Sequence, residues 1–305
     1  MASLTELAFV AVLITILVAN LGLRHRWAAA ATTVILATMA MVEALGASLP
    51  TGQATLGKVA LAFQLGAGAL ALALLWPQVR SQVARFLPID VASPVHTAAL
   101  ALCVLAIGSV VATQLGTNVT AQMAKGSPLS QTDLILGEVP YLPAALLGVG
   151  LGFRRGLRAT SRRLGLVRPR WWHPLLALAC AAFFWLVASG LDLAMAHMTP
   201  HVAHSINAAN RHLFSHLNNP LGIASIAVSA GICEEILFRG AIQSRLGIPL
   251  TSILFAVMHM QYGLSLDTLA VFILAVGLSL IRRYTNTTTA VITHVAYDLL
   301  AGMLP

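Results

Sequence analysis

Long apolar runs recur along the whole chain and restrict the folds that it can adopt. Many of them reach the roughly 17 to 25 residues that a helix needs to cross a bilayer core of about 30 Å. Only 9% of the 305 residues are charged, whereas soluble domains carry roughly 25%. Because lipid accommodates only helices and closed barrels, and no apolar/polar alternation is visible, the sequence predicts an all-α, polytopic transmembrane helical bundle.

The apolar runs predict about eight to ten membrane spans. Gly247 and Pro249 mark the break between the seventh and eighth of them. The predicted spans are 4–23, 28–49, 55–77, 94–116, 132–152, 174–197, 220–246, 248–262, 265–281 and 287–303.

The formal net charge of +8 follows membrane topology rather than a nucleic-acid site. With the N-terminus outside, 15 of the 18 Lys and Arg residues fall in cytoplasmic segments, and Lys58, Lys125 and Arg211 fall on the other side. This distribution obeys the positive-inside rule. We therefore expect membrane lipids, and no nucleic acid, as partners of the basic residues. The expected location is the plasma membrane of a prokaryote.

An arginine-rich segment divides the chain into parts of different polar content. Residues 1–152 hold five predicted spans, which we expect to be accessory because few ionisable residues lie inside them: Glu43, Lys58, His96 and Glu138. Residues 153–173 are predicted to be a basic cytoplasmic linker. Residues 174–218 are predicted to form one span and a histidine-rich outer loop, and residues 219–305 to form the functional core.

The outer loop 198–219 and the residue before it carry five histidines, His197, His201, His204, His212 and His216. Two pairs of them are four residues apart, a spacing that places each pair on one face of a helix. Such pairs occur among metal ligands, but no carboxylate or thiol accompanies them. An interfacial role and a metal site are both open interpretations, and a metal-ion transporter or sensor is an alternative function.

Two adjacent carboxylates, Glu234 and Glu235, lie inside an otherwise apolar span. A charge at the bilayer centre costs about 2.5 to 3.5 kcal/mol, so ionisable residues there mark functional sites by default. Glu235 precedes Arg239 by four residues, the orientation that favours a helical ion pair. Glu234 points about 100° away around the helix axis, out of reach of Arg239. An unpaired carboxylate of this kind suits a general acid or base.

Two histidines lie at a depth similar to that of Glu234. Counting about 1.5 Å per residue from the predicted cytoplasmic ends places Glu234 roughly 14 to 18 Å, His259 about 16 Å and His294 about 11 Å into the membrane. Chance would scatter these residues, so a shared polar cavity open to the cytoplasm is predicted. Asp298 follows His294 by four residues and can orient its imidazole.

These residues form three motifs, Glu234-Glu235-x-x-x-Arg239, Phe255-x-x-x-His259 and His294-x-x-x-Asp298. Together, and in this order, they resemble the CPBP family of intramembrane proteases, which includes type II CAAX prenyl proteases and bacteriocin-processing or abortive-infection proteins. The resemblance implies an intramembrane endopeptidase with its protease core in residues 219–305.

The resemblance also implies roles for the individual residues. Glu234 would activate water with help from His259, while His294 and the residue at 298 would stabilise the oxyanion. Asp298 stands at a position where the family carries Asn or Asp. Because an ionised carboxylate cannot donate a hydrogen bond to an oxyanion, we expect Asp298 to orient His294 instead. Phe255 and Tyr297 are candidates for the substrate cavity.

The cofactor requirement has two interpretations. Glu234, His259 and His294 also form a zinc-ligand combination, and family members are often called metalloproteases. In that version Glu234 is a ligand and Glu235 must serve as the base. Because Glu235 is expected to pair with Arg239, the metal-independent glutamate mechanism is favoured, with zinc as the alternative cofactor.

The expected substrate is a peptide or a membrane-protein segment, processed at a CAAX-type, prenylated tail or at a leader sequence. A transporter or channel is a weaker interpretation, since polar residues at mid-depth also mark ion pathways but no inverted repeat accompanies them here. A further alternative is a non-catalytic scaffold, in immunity or regulation, that retains the same cavity.

Overall fold

A computed structural model describes residues 4–46 and 56–304, and these are mostly helical. The helices are α1 Leu4–Leu21, α2 Arg26–Gly46, α3 Leu56–Ala73, α4 Pro77–Val83, α5 Pro94–Gly116, α6 Val119–Lys125, α7 Gln131–Glu138, α8 Tyr141–Gly148, α9 Leu157–Leu164, α10 His173–Met198, α11 Pro200–Leu213, α12 Pro220–Glu235, α13 Gln243–Met258, α14 Leu266–Tyr284 and α15 Thr287–Met303. A π-helical segment, Ile236–Ile242, joins α12 to α13. Within the described residues β pairing is limited to an isolated bridge between Leu151 and Arg155, so the predicted all-α class is confirmed.

Fewer helices than predicted are long and apolar enough to cross a membrane. In the described part of the chain there are four: Arg26–Leu45, Pro94–Gly116, His173–Met198 and Pro220–Met258. The bent pair Gly57–Ala73 and Pro77–Val83 adds a fifth if it counts as one span. These helices indicate an integral membrane protein, with four or five such spans in place of eight to ten. Residues 47–49 and 55, at the ends of two predicted spans, lie outside the described residues.

Prolines explain two of the differences from the predicted spans. Span 132–152 is divided into α7 and α8, because Pro140 lacks an amide hydrogen and cannot continue the backbone hydrogen bonds of the helix. Span 55–77 bends by 102° between Ala73 and Pro77, and Trp76 takes an extended conformation there.

A glycine explains a third difference. The predicted spans 220–246 and 248–262 form one stretch, Pro220–Met258, which kinks at Gly247. The φ angle of Gly247 is 71°, a left-handed value that glycine adopts without a Cβ penalty. Non-helical backbone at Gly247 therefore separates two helical segments of this stretch at the residue where the break was predicted.

Two predicted loops contain helices. The amphipathic α9 lies within the linker 153–173, and α11 occupies most of the histidine-rich loop 198–219. The buried face of α11 consists of Ala203, Ile206 and Ala209, and its short apolar stripe is typical of a helix at a surface.

The chain divides into two compact units. The first comprises Met1–Thr117, Pro143–Thr160 and Ser244–Gly247, and the second comprises Asn118–Leu142, Ser161–Gln243 and Ile248–Pro305. An alanine-rich cluster forms a core of the first unit: Ala19, Leu36, Ala40, Ala71, Val95, Ala98, Ala101 and Leu105. The second unit has a core cluster of larger side chains from α10, α14 and α15: Phe184, Leu274, Leu278, Ile281 and Ala290. The predicted catalytic residues all belong to the second unit.

Side-chain caps fix where two helices of the second unit begin. The Asn219 side chain accepts a hydrogen bond of 3.0 Å from the Gly222 amide at the start of α12, and Pro220 occupies the first turn. Asn286 accepts one of 2.8 Å from the Thr289 amide at the start of α15. Such caps satisfy amides that lack a partner within the helix. Both helices carry residues of the predicted site.

Candidate active site

Glu234 and Glu235 end α12 and are both buried, with exposures of 5% and 0%. The π-helical segment begins at the next residue and carries Arg239, which is also fully buried. Arg239 Nη1 lies 2.6 Å from Glu235 Oε1, so the ion pair predicted from the spacing is present. Wide π-helical turns are frequent at functional sites.

The buried charge of Arg239 has further partners. Its Nη2 donates to the Ala275 carbonyl on α14 at 3.3 Å. Its guanidinium carbon lies 4.2 Å from the centre of the Phe255 ring, a cation–π arrangement. A buried ion pair persists only when such contacts replace the lost hydration. Arg239 therefore links α12, α13 and α14 around the site.

Glu235 also contacts the last helix. Its Oε1 lies 3.0 Å from Nδ1 of His294, so one carboxylate oxygen serves both Arg239 and His294. Asp298, predicted to orient His294, lies 3.6 Å from its Nε2, which is longer than a hydrogen bond. The shorter contact that orients this imidazole thus comes from Glu235, while Asp298 flanks the other ring nitrogen.

A glycine allows α12 and α15 to approach closely at this level. A Cβ on Gly231 would lie 2.6 Å from Cγ2 of Val295 and 3.1 Å from the Val295 backbone nitrogen. Gly231 is about one turn before Glu235, and Val295 follows His294. The close approach is therefore what brings the Glu235 carboxylate within reach of His294.

Glu234 faces His259 rather than Arg239. Its Oε1 lies 3.5 Å from Nε2 of His259. Nδ1 of His259 lies 2.9 Å from the Phe255 carbonyl oxygen. Since a carbonyl can only accept, Nδ1 carries a hydrogen and donates it. The neutral imidazole therefore presents an unprotonated Nε2 to Glu234, and Oε2 of Glu234 is buried without a hydrogen-bond partner among the described residues.

The two substrate-cavity candidates lie in packed surroundings. Phe255 is 1% exposed, and its ring stacks on His259 at 4.5 Å between centroids and meets Phe238 edge-on at 5.0 Å. Tyr297 packs against the core cluster of the second unit. Phe255 supports His259 and Arg239 from within the protein, and Tyr297 is partly buried beside the core cluster. That these side chains line the substrate cavity stays a prediction.

Two residues near the site come from a segment that was expected to be accessory. Glu138, at the end of α7, interacts electrostatically with Glu234, His259, His294 and Asp298. The Tyr141 ring meets the Phe238 ring edge-on at 6.4 Å. A carboxylate in an apolar span was the available signal for Glu138, but no motif relates it to residues far along the chain.

The three side chains of the predicted zinc set do not converge in this arrangement. Nδ1 of His294 is directed at Glu235, and its Nε2 is flanked by Asp298. No group of three His, Cys, Asp or Glu side chains in residues 4–46 and 56–304 could hold a metal ion. This includes the histidine-rich helix α11, where Nε2 of His212 lies 2.7 Å from the Gly126 carbonyl oxygen. The side chains as placed do not fit a zinc site.

Comparison with known proteins gives a family match in the C-terminal part of the chain. Residues 216–300 match the family described as Type II CAAX prenyl endopeptidase Rce1-like. The matched segment contains all three motifs and confirms the resemblance to the CPBP family. It leaves residues 1–215, including Glu138, outside the match. No curated protein and no solved structure gives a significant match to the chain.

Proposed function

We propose that this protein is an intramembrane endopeptidase in which Glu234 and His259 activate a water molecule. The observation that carries the proposal is the 3.5 Å separation of Glu234 Oε1 and His259 Nε2. Both atoms are acceptors when the carboxylate is ionised and the imidazole is neutral. A water molecule that donates one hydrogen to each would satisfy both atoms and become a better nucleophile.

The proposed reaction moves one proton through Glu234. The carboxylate takes the proton as the water oxygen bonds to the carbonyl carbon of the peptide, which gives a tetrahedral intermediate. The proton then passes to the amide nitrogen, the C–N bond breaks, and a carboxylic acid and an amine form, which become a carboxylate and an ammonium ion by proton transfer between them. A general base contributes typically about 100- to 10,000-fold to such a step.

His294 is the proposed oxyanion donor. Its Nδ1 is held by Glu235, and its Nε2, 3.6 Å from Asp298 and so beyond hydrogen-bond distance of it, is proposed to donate to the reacting group. The carboxylates of Glu235 and Asp298 on either side stabilise an imidazolium, whose Nε2–H can donate to the negative oxygen of the intermediate. Glu235 and Arg239 act as positioning residues in this account, since they hold His294 without contacting the substrate.

The family description and an apolar recess support a peptide substrate with an attached or adjoining apolar chain. The recess lies between α13 and α14 and is lined by residues that include Ile253, Val257, Met260, Leu269 and Phe272. The lining is mostly apolar. It therefore suits the apolar prenyl group of a CAAX-type tail, and equally an apolar membrane-protein segment or leader peptide. The distribution of basic residues supports a site that opens to the cytoplasm.

The test is cleavage of a quenched fluorescent peptide library by purified full-length protein in detergent. The variants are Glu234→Gln and, as the matched control, Glu43→Gln, another carboxylate in an apolar helix, whose partner is Gln64. We expect the first variant to lose at least 100-fold in kcat/KM, as removal of a general base predicts, and the control to retain activity. Full activity in Glu234→Gln would overturn the proposal.

A zinc chelator provides the second arm of the experiment. Activity that survives the chelator but is lost in Glu234→Gln supports the glutamate mechanism, whereas loss with the chelator and recovery with added zinc supports the metalloprotease alternative. If Glu234→Gln retains the protein's function in cells, the non-catalytic scaffold becomes the better account.

A further inference from the structure

Glu138 approaches the proposed active site from outside the motifs and outside the segment that matches the family. It ends α7, which packs beside α12 within the second unit. The charged groups that act on its carboxyl group are members of the site, with Glu234 the strongest among them.

Contacts on either side of Glu138 fix its level along α12. At the start of α7, Gln131 Nε2 lies 3.4 Å from Ser225 Oγ. Beyond its end, the Tyr141 ring packs on Phe238. Glu138 lies about 10 Å along the helix from Gln131 at about 1.5 Å per residue. Since the two segments run in the same direction between these contacts, Glu138 is brought level with Glu234.

The Glu138 carboxylate has an unused acceptor at this position. Its Oε2 is buried and makes no hydrogen bond to any described residue. No Lys, Arg or His nitrogen of the described chain lies within the 4.0 Å of an ion pair with Glu138, although Glu234, Glu235 and Asp298 each have such a contact. Because an unpaired buried acceptor costs free energy, a donor from a bound ligand would be favourable here.

The charge balance of the site indicates which donor this would be. The site contains four carboxylates, Glu138, Glu234, Glu235 and Asp298, against the cations Arg239, His259 and His294. With all four carboxylates ionised and both imidazoles protonated, one negative charge is left over. A cationic group on the substrate would neutralise it, and an acidic group would add repulsion.

We propose that Glu138 is a specificity-determining residue that selects substrates with a lysine or arginine side chain next to the scissile bond. This inference rests on the proposed peptidase function and adds a substrate class to it. The cation would donate to the free Glu138 oxygen while the peptide carbonyl lies between Glu234 and His294. One charge-assisted hydrogen bond of this kind changes kcat/KM by about 10- to 100-fold.

The test uses peptide sets that are identical except for Lys, Gln or Glu placed in turn at the positions on either side of the cleaved bond. Purified full-length wild type, Glu138→Gln and Glu138→Lys are compared, with Glu43→Gln as control. The readout is the ratio of kcat/KM for the Lys peptide to that for the Glu peptide, which a purely structural role of Glu138 would not change.

We expect a ratio of about 10 to 100 for the wild type and the control. It should fall to near one in Glu138→Gln and invert in Glu138→Lys. The same ratio in wild type and Glu138→Gln, or cleavage by the wild type without charge preference, would overturn the inference and leave the peptidase function standing. A wild type that cleaves no peptide would contradict both.

Folding of the variants does not limit the test, because the wild type alone gives a second readout. Uncleavable Lys and Glu peptides are compared as inhibitors of cleavage of one reporter peptide. Stronger inhibition by the Lys peptide, by about tenfold or more, supports the proposal. Equal inhibition by the two peptides contradicts it.

Discussion

The adjacent glutamates Glu234 and Glu235 have different environments in this site. Glu235 has no exposed surface and contacts Arg239 and His294 through one oxygen. Glu234 has His259, at 3.5 Å, as its one partner within ion-pair distance among the described residues. The 100° step between consecutive helix residues is the cause, since it directs the two carboxylates at different helices. Their partners therefore suit them to positioning and to proton transfer, respectively.

Arg239→Leu tests the positioning role. The substitution leaves the Glu235 carboxylate buried without its cation, which typically costs about 3 to 5 kcal/mol. We expect an apparent Tm in detergent lower by roughly 5 to 15 °C, measured by thermal unfolding.

The control for this substitution is Arg283→Gln, at an exposed arginine on α14. Substitutions at exposed positions usually change the free energy of unfolding by less than about 0.5 kcal/mol. Equal apparent Tm values for the two variants would contradict the structural importance of the buried ion pair.

At the residue scale, the motifs and the i, i+4 spacing were sufficient to predict the Glu235–Arg239 pair. They could not predict the Glu235–His294 contact, because it depends on how closely α12 and α15 pack. Glu138 was not predicted as a site residue for a similar reason. Its relation to the site comes from packing between helices that are distant along the chain, and a spacing rule describes only one helix at a time.

At the scale of elements, the positions of breaks in the helices decide where the catalytic side chains lie. The break predicted at Gly247 is present as a non-helical residue, whereas Pro140 divides a predicted span because it has no amide hydrogen to donate along the helix. The π-helical segment Ile236–Ile242 had no signal in the apolar periodicity. It carries Arg239 and directly follows Glu235, so a feature without a sequence signature contributes to the site.

Gly231→Ala tests the close approach of α12 and α15. The new methyl group would lie 3.1 Å from the Val295 backbone nitrogen and 2.6 Å from Cγ2, so the helices must move apart. We expect a loss of about 1 to 3 kcal/mol in stability, the usual result of overpacking. Cleavage should fall by at least tenfold because the Glu235–His294 contact lengthens.

Gly190→Ala on α10 is the matched control, since nothing lies within 4 Å of a Cβ there. Alanine is the better helix former by about 1 kcal/mol, so the control should be as stable as the wild type or slightly more stable, with unchanged cleavage. Wild-type cleavage in Gly231→Ala would show that the close approach is not needed.

At the scale of the whole molecule, composition was enough to predict an all-α membrane protein, because 9% charged residues cannot cover a soluble surface. Among the described residues four or five helices are long and apolar enough to cross a membrane, against the eight to ten spans predicted, since apolar composition does not distinguish a membrane-crossing helix from shorter helices separated by prolines. The grouping of Asn118–Leu142 with the C-terminal helices is a matter of tertiary packing, which hydropathy does not report.

The orientation predicted from the basic residues can be tested by cysteine labelling. With Cys103, Cys180 and Cys233 replaced by alanine, single cysteines are introduced at the exposed positions Arg158 and Lys125. We expect a membrane-impermeant maleimide to label Lys125→Cys on intact cells and Arg158→Cys only after permeabilisation, as the positive-inside rule predicts.

Arg211→Cys, also exposed and on the predicted outer side, serves as the second outward control. The reverse labelling pattern would place the basic linker, and with it the opening of the proposed site, on the outer side of the membrane.

The central claim is that Glu234 and His259 act together on one water molecule. The most direct measurement is a double-mutant cycle of kcat/KM for peptide cleavage, using Glu234→Gln, His259→Gln and the double variant. Residues that act as a unit give strongly non-additive losses. We predict that each single variant loses at least 100-fold and that the double variant loses no more than the worse single one. Losses that multiply in the double variant, or a single variant with wild-type cleavage, would contradict the account.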